Sequence, residues 1–163
     1  MSIGTDLGLL GTDGDHRTVR FERILTARPE DVWSALTDPE ELGWLADGAT
    51  FEGRLGGVVE LRWDENVMRG KVLTWEPPSV LEYLWNEGPH DSVVRIELKP
   101  SGDGTCLVLD HRRLPADSAA GFGAGWHVHL DMLEARLGGG ELDFWPRFEE
   151  LRPRYADLAA ALR

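Results

Sequence analysis

The sequence predicts one α+β domain, an antiparallel sheet of six or seven strands covered by a long helix near the C-terminus. Three observations carry this. Between His16 and Leu114, runs of alternating apolar and polar residues are joined by short turns, which suits an antiparallel sheet. Two short helical segments interrupt the runs after the first strand. At Trp126 the apolar spacing changes from strand-like to helical.

The opening, "MSIGTDLGLLGTDGDH", is rich in glycine and aspartate and reads as a flexible arm over residues 1–14. It has no basic region ahead of its short apolar patch, Leu7 to Leu10, so it is not read as a signal peptide. "HRTVRFERIL" is the first strand, with Val19, Phe21 and Leu25 on one face. In "RPEDVWSALTDPEELGWLADG", Pro29 with Glu30 and Asp31 suits one helix start, and Asp38-Pro39 caps a second. Trp33 with Leu36, and Leu42 with Leu45, give these helices an apolar side.

"ATFEGRLGGVVELRW" holds two strands around Gly56-Gly57, and "VMRGKVLTWEPPSVLEYLW" holds two more turned at Pro77-Pro78. Leu81, Tyr83 and Trp85 share a face. "SVVRIELKPSGDGTCLVLDHRRL" is a hairpin around "SGDG" in which Leu107, Leu109 and His111 point inward together. At 100° per residue, Trp126, Leu130, Leu133 and Leu137 fall within about 60° of one another, predicting a helix over roughly 118–138. "LGGG" ends it. The tail, 141–163, spaces Phe148, Leu151, Tyr155, Leu158 and Leu162 for a helix that Pro153 should kink or split. Its stripe needs a partner, either the main domain (15–140) or a second subunit.

The phrases "ARPEDVWSALTDPEELGWL" (27–45), "GRLGGVVELRW" (53–63), "GKVLTWEPPSVLEYLW" (70–85), "LKPSGDGTCLVLDH" (98–111) and "GWHVHLDMLEARLGG" (125–139) occur in an order that resembles the START-like, birch-pollen-allergen-like (SRPBCC) superfamily. Within it the chain is most similar to the family named for the activator of the heat-shock-protein-90 ATPase. The resemblance implies a helix-grip fold, a curved sheet wrapped around the long helix. It also implies a cavity between them, which many relatives use for apolar ligands, and no universal catalytic residue.

Composition narrows the function. With 17 basic and 29 acidic residues, the net charge is −12, a surface that repels nucleic-acid backbones and anionic membranes. A single cysteine, Cys106, permits no internal disulfide, and a cytoplasmic location is expected. Cys106 has the parity opposite to Leu107 and His111 and is read as a buried structural thiol. No nucleophile elbow or phosphate loop occurs.

His127 and His129 raise the question of metal. A spacing of two sets them about 160° apart on a helix, so no shared metal is expected. They are read as bordering the packed stripe, with His129 the one able to reach a cavity. His111, inward at a strand end, could orient a ligand or sit as a satisfied core histidine. The candidate cavity wall is Trp63, Tyr83 and Trp85 from the sheet, Trp126 and His129 from the helix, His111, and Trp44 at the mouth. No catalytic residue and no cofactor is assigned. The expected function is non-enzymatic binding of a hydrophobic or aromatic small molecule. The alternatives are a protein-interaction or co-chaperone-like module, with a homodimer or a protein client as partner, and a cyclase- or hydrolase-type enzyme.

Overall fold

The computed structural model describes residues 6–162. Eight strands form one curved antiparallel sheet in the order β1-β2-β8-β7-β6-β5-β4-β3. They are β1 (Leu9–Asp13), β2 (His16–Leu25), β3 (Gly48–Phe51), β4 (Val58–Trp63), β5 (Asn66–Glu76), β6 (Val80–Trp85), β7 (Ser92–Ser101) and β8 (Gly104–Pro115). Between β2 and β3 lie α1 (Pro29–Thr37) and a 3-10 helix (Pro39–Trp44). After the sheet come α2 (Ala119–Leu137) and α3 (Phe144–Ala160). Among the described residues, no helix is long and apolar enough to cross a membrane.

The alternation read from the sequence places the core. Val94, Ile96 and Leu98 on β7 and Leu107, Leu109 and His111 on β8 are all buried. The α2 stripe of Trp126, Leu130 and Leu133 packs onto this face, with Leu137 half-buried at the helix end. Register shifts at Arg17/Val19 in β2 and at Val72/Thr74 in β5 are the irregularities that let an antiparallel sheet bend around a helix.

Three expectations need correction. The sheet has eight strands, because part of the supposed N-terminal arm is β1, paired with β2 from Leu9↔Arg20 to Asp13↔His16. Residues 1–5 of that arm lie outside the described residues. The expected break at Pro153 is absent, and α3 runs through it without interruption. Pro153 and Glu149 are both exposed, so the carbonyl that loses its partner faces water, while Leu151 and Tyr155 are buried on the other side. Cys106 is half-buried on the outer sheet face, where its thiol lies 3.9 Å from Glu22 Oε1.

The α3 stripe packs on α2 of the same chain. Arg23 fastens this arrangement. It has the inward parity of Val19, Phe21 and Leu25 and is buried with them. Its Nη1 donates to Asp131 Oδ1 at 2.9 Å and to Glu134 Oε1 at 3.4 Å on α2. From α3, Arg147 Nε donates to the other Asp131 oxygen at 3.1 Å. The buried Asp131 therefore ties sheet, covering helix and tail helix together.

Candidate functional site

The first half of α2 is unusual for a helix, because "AAGFGAGW" places glycine at 121, 123 and 125. Helix-interior glycine costs roughly 1 kcal/mol relative to alanine. Each glycine has a spatial role. A Cβ on Gly123 would come within 2.7 Å of the Tyr155 ring, so its bareness lets α3 approach. Gly121 and Gly125, one turn apart, would meet nothing within 4 Å. They face an open groove.

That groove has a volume of about 360 Å3. It lies at the N-terminal half of α2, bounded by β4 and β6 on one side and by the first turns of α3 on the other. Its walls are Trp63, Trp85, Phe122, Trp126, Phe144 and Phe148. The rings are in mutual contact, with centroids 6.0 Å apart for Trp63 and Trp85 and 5.6 Å for Trp85 and Trp126. Phe144 lies 5.3 Å from Phe148 and 4.9 Å from His129. A second groove of about 450 Å3 shares Leu45, Trp63, His129 and Phe144 with the first, so Phe144 stands between the two.

Hydrogen bonding fixes the protonation of the nearby histidines. Trp126 Nε1 can only donate, and it donates to His111 Nδ1 at 2.9 Å. The proton of His111 is therefore on Nε2, which donates to Ser92 Oγ at 2.7 Å. Ser92 Oγ in turn approaches the Trp85 carbonyl at 3.5 Å. Burial pushes His111 down to about 3, so this ring is neutral at ordinary pH. A ring with its proton already facing Ser92 cannot accept the serine proton, so the pair is not a nucleophile and base. Its work is to hold Trp126. His129 Nδ1 donates to the Trp44 carbonyl at 3.0 Å, and burial pushes this ring down to about 4 despite that bond. Its Nε2 is left as an acceptor.

Of the seven cavity residues expected from the sequence, Trp63, Trp85, Trp126 and His129 come together around the first groove. Trp44 lines the second groove and is buried, its indole nitrogen donating to the Ala35 carbonyl at 2.8 Å. Tyr83 and His111 are buried behind the wall. Tyr83 packs on Trp85 at 6.4 Å and on Phe51 at 5.9 Å. Burial raises its hydroxyl well above the ordinary tyrosine range.

The two neighbouring histidines diverge. His127 is fully buried toward the tail helix, its Nδ1 2.7 Å from the Tyr155 hydroxyl, while His129 faces the grooves. Among the described residues no group of three or more His, Cys, Asp or Glu side chains could hold a metal ion.

The sequence reading missed Phe122, Phe144 and Phe148. Phe122 stands one helical turn before Trp126, a spacing that signals a shared face. Phe144 and Phe148 show the same spacing, but nothing local says where the tail docks.

Comparison with known proteins agrees with the fold. The family described as activator of Hsp90 ATPase homolog 1-like protein matches residues 26–138. The crystal structure of CalU16 from Micromonospora echinospora is 28% identical, with 94% of this chain and 96% of that one covered at a TM-score of 0.77. The protein encoded by gene BPP1335 of Bordetella parapertussis is 30% identical over 99% of this chain and 94% of that one, at 0.74. The solution structure of the Aha1 dimer from Colwellia psychrerythraea, at 20% identity, covers 74% of this chain and 95% of that one with a TM-score of 0.68. No curated protein matches.

Proposed function

Since this chain belongs to the activator of Hsp90 ATPase homolog 1-like family, whose fold supplies a site rather than a reaction, we propose that it is a binding protein for a flat, apolar small molecule. The occupied site is the aromatic groove between the sheet and the first halves of α2 and α3. The observation that carries this is the pair Gly121 and Gly125. Two helix-interior glycines with empty space above them lower helix stability and gain nothing in packing. They leave room between six aromatic side chains instead.

The groove volume suits a ligand of one or two fused rings. Burying about 200 Å2 of apolar ligand surface contributes roughly 5 kcal/mol at ~25 cal/mol per Å2. After the costs of association, an unoptimised probe should bind in the micromolar to sub-millimolar range.

The test is fluorescence titration with a neutral hydrophobic dye such as Nile red, comparing the native protein with Gly125→Leu. The leucine enters open space on a helix and fills the groove. We expect binding by the native protein and at least tenfold weaker binding by the folded variant. If no dye is taken up even at about 1 mM native protein, above the range in which an unoptimised apolar ligand should bind, the groove is ordinary surface. The interaction-module reading, with a second copy or a protein client as partner, then replaces this one.

A further inference from the structure

We infer that the groove selects an amine, a protonated primary or secondary amino group on a flat apolar body, over the matching carboxylate. This rests on the groove being a ligand site, as proposed above, and names the chemistry of its ligand.

The first line of argument is the wall itself. Aromatic faces carry negative quadrupole density and attract cations. Trp63, Trp85, Phe122, Trp126, Phe144 and Phe148 surround one volume.

The second is charge. Neither groove is lined by a lysine or an arginine. The charged groups are Asp117 at the start of α2, and Asp47 and Asp64 at the rim of the second groove. Asp47 Oδ2 accepts the Asp64 backbone N–H at 3.2 Å, and both aspartates are exposed at this rim. The net charge of −12 draws cations and repels anions at longer range.

The third is hydrogen-bond polarity. The groove's donors are mostly engaged within the protein. Trp63 Nε1 donates to the Leu45 carbonyl at 2.6 Å, and Trp126 Nε1 to His111. Ser118 Oγ donates to the Pro115 carbonyl at 3.0 Å, and His129 Nδ1 to the Trp44 carbonyl. What these groups still present is acceptors, namely His129 Nε2, Ser118 Oγ and the Asp117 carboxylate. The opposing features are the Trp85 indole N–H and the backbone N–H groups that open α2. Asp117, two residues before that helix, offsets the positive end of its dipole.

The experiment is calorimetric titration of the full chain at pH 7 and low salt with 2-naphthylmethylamine, 2-naphthylmethanol and 2-naphthoate. The three share a ring system and differ in the charge at one end. We expect the amine to bind at least about tenfold tighter than the carboxylate, with the alcohol between them. The gap should narrow in ~0.5 M salt, where the screening length falls to a few ångströms. Asp117→Asn should reduce amine affinity about threefold and alcohol affinity by less, because only the amine loses a charge partner.

Equal binding of all three, or tighter binding of 2-naphthoate, overturns the amine assignment while leaving the groove as a ligand site. Failure of all three, the neutral alcohol included, overturns the groove and the assignment together. An amine preference that persists unchanged through both Asp117→Asn and Asp64→Asn overturns the part given to these carboxylates.

Discussion

The hydroxyl of Tyr155, in the tail helix, accepts the backbone N–H of Gly8 at 2.8 Å across 147 residues of chain. The same oxygen lies 2.7 Å from His127 Nδ1, so both groups depend on it. Tyr155→Phe keeps the buried ring and removes the oxygen. It should lower the unfolding free energy by about 1–3 kcal/mol, the penalty for leaving buried polar groups unpaired. Amide exchange over Gly8–Asp13 should accelerate more than in the rest of the sheet. Uniform acceleration would show that the bond does not anchor this segment.

Acid should weaken the fold through its buried histidines. His111 is pushed down to about 3 and His129 to about 4 from an ordinary 6.5. The unfolded chain therefore binds more protons than the folded one below pH 6.5, and stability is fully present above that value. It is lost as pH falls toward 4. At pH 5 each histidine should have cost about 2 kcal/mol, with His129, the less completely buried, at or below that figure. Burial raises the Glu134 carboxyl, which opposes the trend as it gains its proton. Urea unfolding at pH 7 and pH 5 measures the difference, and equal stabilities at the two values would refute it.

Asp131→Asn should be among the most damaging single changes. Asp131 is fully buried and accepts both Arg23 and Arg147. Removing its charge takes from the buried Arg23 its nearer counter-ion and from Arg147 its buried one, a loss of about 3–5 kcal/mol. An unfolding free energy within about 1 kcal/mol of the native value would mean that Glu134 suffices for Arg23 and Glu150 for Arg147.

Stability and binding should part company at Gly125. Gly125→Ala should stabilise the protein by roughly 0.5–1 kcal/mol, because alanine favours the helix. Gly123→Ala, by contrast, should destabilise it, since its Cβ would sit 2.7 Å from the Tyr155 ring. Thermal unfolding of the two variants should shift in opposite directions. Shifts of the same sign would contradict the placement of these two faces of α2.

Trp126 should lose its fixed orientation in His111→Leu. That change strands the Trp126 indole N–H and removes the bond that Ser92 Oγ accepts. A loss of about 2–4 kcal/mol is expected, with a red-shifted tryptophan emission. Unchanged emission would mean that packing alone holds the indole.

The core was readable from alternation because burial of one sheet face leaves a period of two. Leu81, Tyr83 and Trp85 follow it, as do Leu107, Leu109 and His111. Arg23 follows it too, and a charge at an apolar parity was a visible sign of the buried ion cluster. The site was readable only in part. Trp63, Trp85 and Trp126 belong to elements whose inward faces are set locally. Phe144 and Phe148 reach the groove through the docking of α3, which depends on Gly123, Tyr155 and Arg147. Strand β1 escaped notice for a similar reason, because its sequence is weakly apolar and its pairing is dictated by β2 and by Tyr155.

The pairing of β1 with β2 has a further consequence for behaviour in solution. Without β1, the ten residues of β2 would present a bare row of N–H and C=O groups along the margin of the sheet. Such a margin recruits strands from other molecules. The five residues of β1 occupy it with a short strand, and the aspartate at its end is a poor recruit for further growth. Trimming the chain to residue 14 should therefore yield a protein with an intact groove and a tendency to precipitate, which turbidity on concentration would reveal.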